Sequence, residues 1–123
     1  MLEAAVLCLA LNIYHEGSKT EPIDGLFAIG QVVLNRAKRD PEKVCEVVQA
    51  YKQFSWTLKP PAVEDGPAWR NANTVAHLSF HMQDFTGGAT HYHALYANPY
   101  WRVDMTILGQ FGNHIFYKVK GKK

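Results

Sequence analysis

Glu16 is the acidic side chain whose position best suits it for chemistry. The apolar positions that precede it are spaced as one face of a helix: Leu2, Val6, Leu9 and Ile13. Glu16 continues that face, three residues after Ile13. Partial burial and the negative end of the helix dipole would both raise the pKa of a carboxyl group there, so that it could serve as a general acid near neutral pH. The alternative is a solvent-facing glutamate at a frayed helix end.

Histidines form a second group of candidate side chains, and their spacing raises the question of a zinc site. His77 and His81 are spaced i, i+4 on a predicted helix, and His91 with His93 could complete a ligand set. However, the segment between His77 and His81 lacks the glutamate of the HExxH type. We therefore expect no metal and no cofactor, and we interpret His77 and His81 as surface or groove-edge residues. A zinc enzyme that uses Glu16 as its base is the alternative.

Composition sets the broad class of the protein. A chain of 123 residues with 47% hydrophobic and 20% charged residues predicts one domain spanning residues 1–123. The net charge of +2 comes with no clustered basic stripe, so we expect no nucleic-acid partner. No apolar stretch reaches the length of a membrane span, and no signal peptide is recognisable. Cys8 and Cys45 each fall within a helical pattern, which favours two buried free thiols.

Periodicity and turn residues predict a helix-dominated α+β domain. The first three expected elements are helices, from Leu2 to a C-cap at Gly17, from after Pro22 to about Arg36, and from an N-cap at Asp40 through Tyr51. A short strand at 53–57 and a helix from Pro67 through Phe80 follow. The chain ends with a compact polar-aromatic segment at 89–96 and a hairpin at 107–119, with its turn at Gly109 or Gly112-Asn113. The second helix is expected to bury its apolar side chains, including Ile23.

Five sequence blocks resemble the SleB-type cell-wall hydrolase family and occur in the family's order. The blocks are residues 9–17 (LALNIYHEG), 25–36, 53–56 (QFSW), 87–94 (GGATHYHA) and 112–117 (GNHIFY). The resemblance implies a lysozyme-like domain with a short strand or hairpin bordering the active-site groove. It also implies a lytic transglycosylase that cuts the glycan strands of peptidoglycan between N-acetylmuramic acid and N-acetylglucosamine, with Glu16 as the catalytic acid.

In the chemistry that the resemblance implies, one carboxyl group protonates the leaving oxygen and then accepts the proton of the muramic acid 6-hydroxyl, which closes a 1,6-anhydro ring. A conventional glycosidase would need a second carboxylate at a defined separation. The candidates for it are scattered through the sequence: Glu21, Asp24, Asp84 and Asp104. This favours the transglycosylase over a hydrolytic muramidase. The sequence also leaves open a zinc-dependent peptidoglycan amidase or peptidase and a non-catalytic wall-binding module.

Two blocks supply the expected substrate contacts. Because side chains alternate between the two faces of a strand, Gln53 and Ser55 are expected on one face and Trp56 on the other. By analogy with lysozyme-like folds this strand borders the groove, so Gln53 and Ser55 are expected to contact sugars, and Trp56 either does so or fills the core. In the second block, the resemblance predicts that Tyr92 orients Glu16 or the bound N-acetyl group. The remaining expected sugar contacts in that block are Thr90, His91 and His93.

The chain departs from the family pattern directly after Glu16. Many members continue the glutamate with Ala-Arg-Gly-Glu-Pro, whereas this chain has Gly-Ser-Lys-Thr-Glu-Pro at residues 17–22, without the arginine. We expect a monomer that acts on the bacterial cell wall. The absence of a recognisable signal peptide is compatible with a holin-released phage lysin or with a domain processed from a longer secreted or spore protein.

Overall fold

The computed structural model describes residues 2–17, 21–50 and 66–120. The described helices are α1 (Leu2–Gly17), α2 (Ile23–Arg36), α3 (Val44–Gln49) and α4 (Pro67–Ser79), with short 3-10 helices at Pro41–Lys43 and Tyr100–Asp104. The described strands are β1 (His91–Ala94), β2 (Met105–Phe111) and β3 (His114–Val119). This combination confirms the predicted helix-dominated α+β class.

Helix α1 lies at the centre of the helical layer and contacts α2, α3 and α4. The stripe predicted from periodicity is buried as expected, since Val6, Leu9 and Ile13 all lie in the core. Burial of these apolar side chains is the main stabilising contribution of the helix. Because the buried face continues to the last turn of α1, it brings Glu16 to the boundary between the helices and the sheet.

Helix α2 is buried along most of its length, from Gly25 to Leu34. Pro22 precedes the helix in an extended conformation, as the sequence predicts for a helix that opens after proline. The expectation for Ile23 was wrong, because its side chain is 57% exposed. Ile23 lies in the first turn, before the helix enters the core, and periodicity alone does not show where a helix meets its neighbours.

Cys8 and Cys45 form a disulfide, which corrects the expectation of two free thiols. Their Cα atoms are 5.2 Å apart, within the usual range for a disulfide. The bond links α1 to α3, which pack against each other. Each cysteine was correctly placed on a helix, but the pairing depends on how two helices are set against each other, which the pattern within one helix does not contain.

The three strands form an antiparallel sheet in the order β1-β3-β2. The predicted hairpin is confirmed, with its turn at Gly112-Asn113 between β2 and β3. Gly112 has φ of +60°, which glycine adopts without steric cost. Gly109, the other candidate for the turn, instead lies beside an irregularity in the β2–β3 register. Strand β1 pairs with β3 so that Tyr92 lies opposite Phe116.

None of the helices in the described part of the chain is long and apolar enough to cross a membrane.

Candidate active site

Glu16 lies in the last turn of α1, on the helix face that is buried in the core as far as Ile13. Its side chain is partly buried, and burial raises the pKa of its carboxyl group to about 7, against a hydrogen bond from Tyr92 that lowers it. The carboxyl group is therefore about half protonated at neutral pH. The protonated fraction is the form that can act as a general acid at this pH.

Tyr92 is the described side chain that holds Glu16. Its phenol donates a hydrogen bond to Glu16 Oε1 over 3.3 Å. Burial and the nearby negative charge of Glu16 raise the pKa of Tyr92, so the phenol keeps its proton. The Tyr92 ring stacks on Phe116, with centroids 5.4 Å apart, and meets the His114 ring edge-on. The sheet therefore fixes the direction from which the phenol reaches Glu16.

A cavity of about 510 Å³ opens beside Glu16. Its described lining comes from four places in the chain: Glu16 and Gly17 at the end of α1, Glu21 before α2, residues 94–96 at the end of β1 and just beyond it, and Asn113 with His114 where the hairpin turn leads into β3. The helical layer supplies the acid and the sheet supplies the opposite wall. A concave site between layers at which several polar groups converge is a usual place for a ligand.

Of the four scattered carboxylates that the sequence offers as partners of Glu16, Glu21 is the one that lines the cavity in the described part of the chain. Its side chain is only 2% exposed. Glu21 Oε2 accepts a hydrogen bond from the Asn113 N–H over 2.9 Å, and Glu21 Oε1 lies 3.2 Å from His114 Nδ1. A Cβ at Gly25 or at Gly112 would collide with the Glu21 carboxylate, so both positions need glycine for the carboxylate to fit. Glu21 thus ties the hairpin turn to the start of α2.

One sequence signal could have identified Glu21. The Glu-Pro pair at residues 21 and 22 matches the end of the family's Ala-Arg-Gly-Glu-Pro, although the residues before it differ. The segment that follows Glu16 differs from the family pattern but keeps that pattern's glutamate, at position 21. The structure describes that glutamate but not residues 18–20.

The other three carboxylates considered as partners lie outside the described lining of the cavity. Asp84 accepts hydrogen bonds from Thr86 and from the Gly88 N–H. Partial burial opposes ionisation of Asp84, but these hydrogen bonds outweigh it and lower its pKa. Asp24 Oδ2 accepts a hydrogen bond from the Gly112 N–H over 3.3 Å, and Asp104 is exposed at the end of a 3-10 helix. Among the described residues, Glu21 is the carboxylate that shares the cavity with Glu16.

The neighbours of Tyr92 in its block lie elsewhere. Because side chains alternate along a strand, His91 and His93 are on the opposite face of β1 from Tyr92, where both pack against Trp101. The Thr90 hydroxyl lies 3.0 Å from His91 Nδ1. The structure therefore brings Tyr92 to Glu16 but leaves Thr90, His91 and His93 outside the described lining of the cavity. Gln53, Ser55 and Trp56 lie outside the described residues.

The histidines of the zinc alternative are not gathered into one site. His77 is exposed on α4 and His81 is exposed just after it. Both ring nitrogens of His93 are engaged, Nδ1 lying 2.8 Å from the Ala94 carbonyl and Nε2 2.9 Å from the Tyr117 hydroxyl. Within residues 2–17, 21–50 and 66–120, no three His, Cys, Asp or Glu side chains are grouped to hold a metal ion.

Comparison with solved structures shows the fold. The chain is similar to the catalytic domain of the germination-specific lytic transglycosylase SleB from Bacillus anthracis, with 25% identity, a TM-score of 0.72 and 93% of each chain covered. It is also similar to the catalytic domain of the Bacillus cereus SleB protein, with 24% identity, a TM-score of 0.75, and 94% of this chain and 91% of that chain covered. These similarities confirm the expected fold.

Comparison with curated sequences and with family models gives the family. None of the curated proteins matches the sequence significantly. The model of the cell wall hydrolase family matches residues 20–117, which is most of the chain. The chain therefore belongs to the cell wall hydrolase family.

Proposed function

We propose that this protein cleaves the glycan strands of peptidoglycan between N-acetylmuramic acid and N-acetylglucosamine, as a lytic transglycosylase that leaves 1,6-anhydro-muramic ends. The observation that carries the proposal is Glu16, a carboxyl group with a pKa of about 7 at the edge of a cavity. The similarity to a domain described as a lytic transglycosylase supports it. The family itself supplies the coarser statement, that of a cell wall hydrolase.

The reaction needs one group that gives and then takes a proton. Protonated Glu16 donates its proton to the glycosidic oxygen, and the bond between that oxygen and C1 of the muramic acid breaks. The resulting carboxylate then accepts the proton of the 6-hydroxyl group while O6 bonds to C1, closing the anhydro ring. Glu16 ends in the protonation state in which it began. Tyr92, held between His114 and Phe116, orients the carboxyl group throughout.

Glu21 bears on the choice between transglycosylase and hydrolase. A second carboxylate in the cavity suggests a hydrolytic pair at first sight. However, one Glu21 oxygen already accepts the Asn113 N–H and the other faces His114 at ion-pair distance. A carboxylate held in this way is poorly placed to activate water or to attack a sugar. The single-acid reaction therefore fits the cavity better than a two-carboxylate hydrolysis.

The test is digestion of purified peptidoglycan followed by mass spectrometry of the released fragments. Anhydro-muramic ends are expected from the parent, and Glu16→Gln should lower the rate by at least about 100-fold, as expected for loss of a general acid. Glu46→Gln, which removes a carboxylate from an exposed position on α3, is the matched control and should leave the rate unchanged. Reducing muramic ends would show a hydrolase instead. New amino termini on the stem peptides would show an amidase.

The setting that we propose is the bacterial cell wall, outside the reducing cytosol. The Cys8–Cys45 disulfide supports it, because disulfides persist in oxidising environments. Both a phage lysin released across the membrane and an exported bacterial domain would meet that condition.

A further inference from the structure

We propose that Tyr96 is the stacking platform of a sugar subsite at the mouth of the Glu16 cavity, and that it takes the apolar face of an uncharged N-acetylhexosamine ring. The inference rests on the proposed function and adds to it a binding residue and the class of ring that it holds. Tyr96 was not among the sugar contacts expected from the sequence.

The first observation is the exposure of Tyr96 beside the acid. Its side chain is 94% exposed, yet it borders the same cavity as Glu16, together with the exposed Leu95. Removing an aromatic ring from water is favourable because the ring has a large apolar area, so an exposed ring at a cavity mouth is suited to bind a ligand. A pyranose presents a face of C–H groups that can lie flat on such a ring.

The second observation is that the backbone carrying Tyr96 is fixed. The Leu95 N–H donates to the Asn113 carbonyl over 3.1 Å, and the Ala97 N–H donates to the Ala94 carbonyl over 3.0 Å. The turn is thereby attached to the same hairpin that forms the cavity wall. Tyrosine has few rotatable bonds, so binding on a fixed turn costs little conformational entropy.

The third observation concerns charge and defines the ligand. The described lining of the cavity carries the carboxyl groups of Glu16 and Glu21 and no lysine or arginine. A sugar with a free carboxylate would be repelled there, whereas an uncharged N-acetylated ring would not. Tyr96 is therefore assigned to an uncharged N-acetylhexosamine unit next to the bond that is cleaved.

The experiment measures binding in a Glu16→Gln background, in which the ligand is not consumed. Oligomers of N-acetylglucosamine serve as the soluble probe in titration calorimetry, and sedimentation with purified peptidoglycan serves as the second measurement. Tyr96→Ala should weaken binding about ten-fold, the upper range for loss of one aromatic contact. Tyr96→Phe keeps the ring and should bind within about two-fold of its parent.

Tyr100→Ala is the matched control. Tyr100 is 89% exposed and four residues away, but it is not among the described residues lining the cavity, so its loss should leave binding unchanged. The proposal would be overturned if Tyr96→Ala bound as tightly as its parent. It would also be overturned if Tyr96→Phe or Tyr100→Ala lost as much binding affinity as Tyr96→Ala. Circular dichroism checks that each variant is folded. Because the readout is binding, it separates a failure of this subsite from a failure of Glu16 chemistry, which product analysis detects.

Discussion

At the scale of single residues, Glu16 shows what a helical pattern can and cannot predict. Its phase along α1 placed it on the inner face, and the expected rise in its pKa agrees with the structure. The main cause is burial. The hydrogen bond from Tyr92, which opposes that rise, joins residues 76 positions apart in the chain and could be expected only from the family resemblance.

The alkaline limb of the pH–rate profile should report Glu16. The acid must carry its proton to start the reaction, so kcat/KM for peptidoglycan should fall above a pKa of about 7, approaching ten-fold per pH unit. In Tyr92→Phe, the hydrogen bond that lowers the pKa of Glu16 is lost, so the limb should move to higher pH while the maximal rate decreases. Initial rates of turbidity loss measured between pH 5 and about pH 9 test both expectations.

Tyr100→Phe is the control for this experiment, because it removes a hydroxyl from an exposed ring. Its pH profile should coincide with that of the parent. An unshifted limb in Tyr92→Phe would mean that the phenol does not bond to Glu16 in solution, or that another group controls the limb.

Glu16 should also make the protein less stable at alkaline pH. Its pKa is raised in the folded state, so the folded state favours the protonated form and loses stability as pH rises from the unfolded value near 4.5 through about 7. Glu16→Gln does not undergo this loss and should be more stable than the parent by about 3 kcal/mol at pH 8, with no difference at pH 4. Urea unfolding at the two pH values measures it. A difference independent of pH would contradict the raised pKa.

At the scale of elements, the site depends on how closely α2 approaches the hairpin turn. The carboxylate of Glu21 occupies the contact, and Gly25 on α2 and Gly112 in the turn leave room for it. Alanine normally stabilises a helix relative to glycine by about 1 kcal/mol. At position 25 the sign should reverse, because the new Cβ would meet the Glu21 carboxylate.

Gly25→Ala should lower the free energy of unfolding by about 1 to 3 kcal/mol, the usual cost of overpacking. Glu21→Ala removes the three atoms nearest to the new Cβ, which are Oε2, Cδ and Cγ of Glu21. In that background Gly25→Ala should therefore become neutral or stabilising. A double-mutant cycle by urea unfolding measures the coupling. Additive effects would show that the collision at Gly25 is not with Glu21.

The elements themselves were largely predictable from the sequence, whereas their contacts were not. Pro22, Asp40 and Pro67 mark where helices begin, because each acts locally, the prolines through their fixed backbone and Asp40 through a side chain that accepts the Glu42 N–H. The position of Glu21 and the pairing of Cys8 with Cys45 depend on tertiary approach, which has no local period. The same limit applies to the candidate site. Helical phase placed Glu16 on the inner face, and the resemblance gave Glu16 and Tyr92 their expected roles. The choice of Glu21 among the scattered carboxylates, and the place of Tyr96 beside the cavity, depended on the assembled structure.

At the scale of the whole molecule, the cavity lies between two layers that are distant in sequence. The helical layer supplies Glu16, and the sheet supplies Tyr92 and the opposite wall. Two sets of contacts hold the helical layer against the sheet. On the cavity side, Glu21 bonds to the hairpin turn. At the other end of α2, Asn35 and Arg36 donate hydrogen bonds to the Ala89 and Thr90 carbonyls just before β1. The disulfide lies within the helical layer, linking α1 to α3.

Removal of the disulfide should therefore reduce stability more than it reduces activity. The bond joins residues 37 positions apart, and loop closure of that length is worth about 4 kcal/mol of unfolding free energy. Cys8 precedes Glu16 by eight residues, about 12 Å along α1, so the acid should keep its environment while the protein stays folded. In urea unfolding, dithiothreitol should lower the free energy of unfolding of the parent. It should leave that of the Cys8→Ala/Cys45→Ala variant unchanged. Equal sensitivity of both proteins to dithiothreitol would contradict the bond.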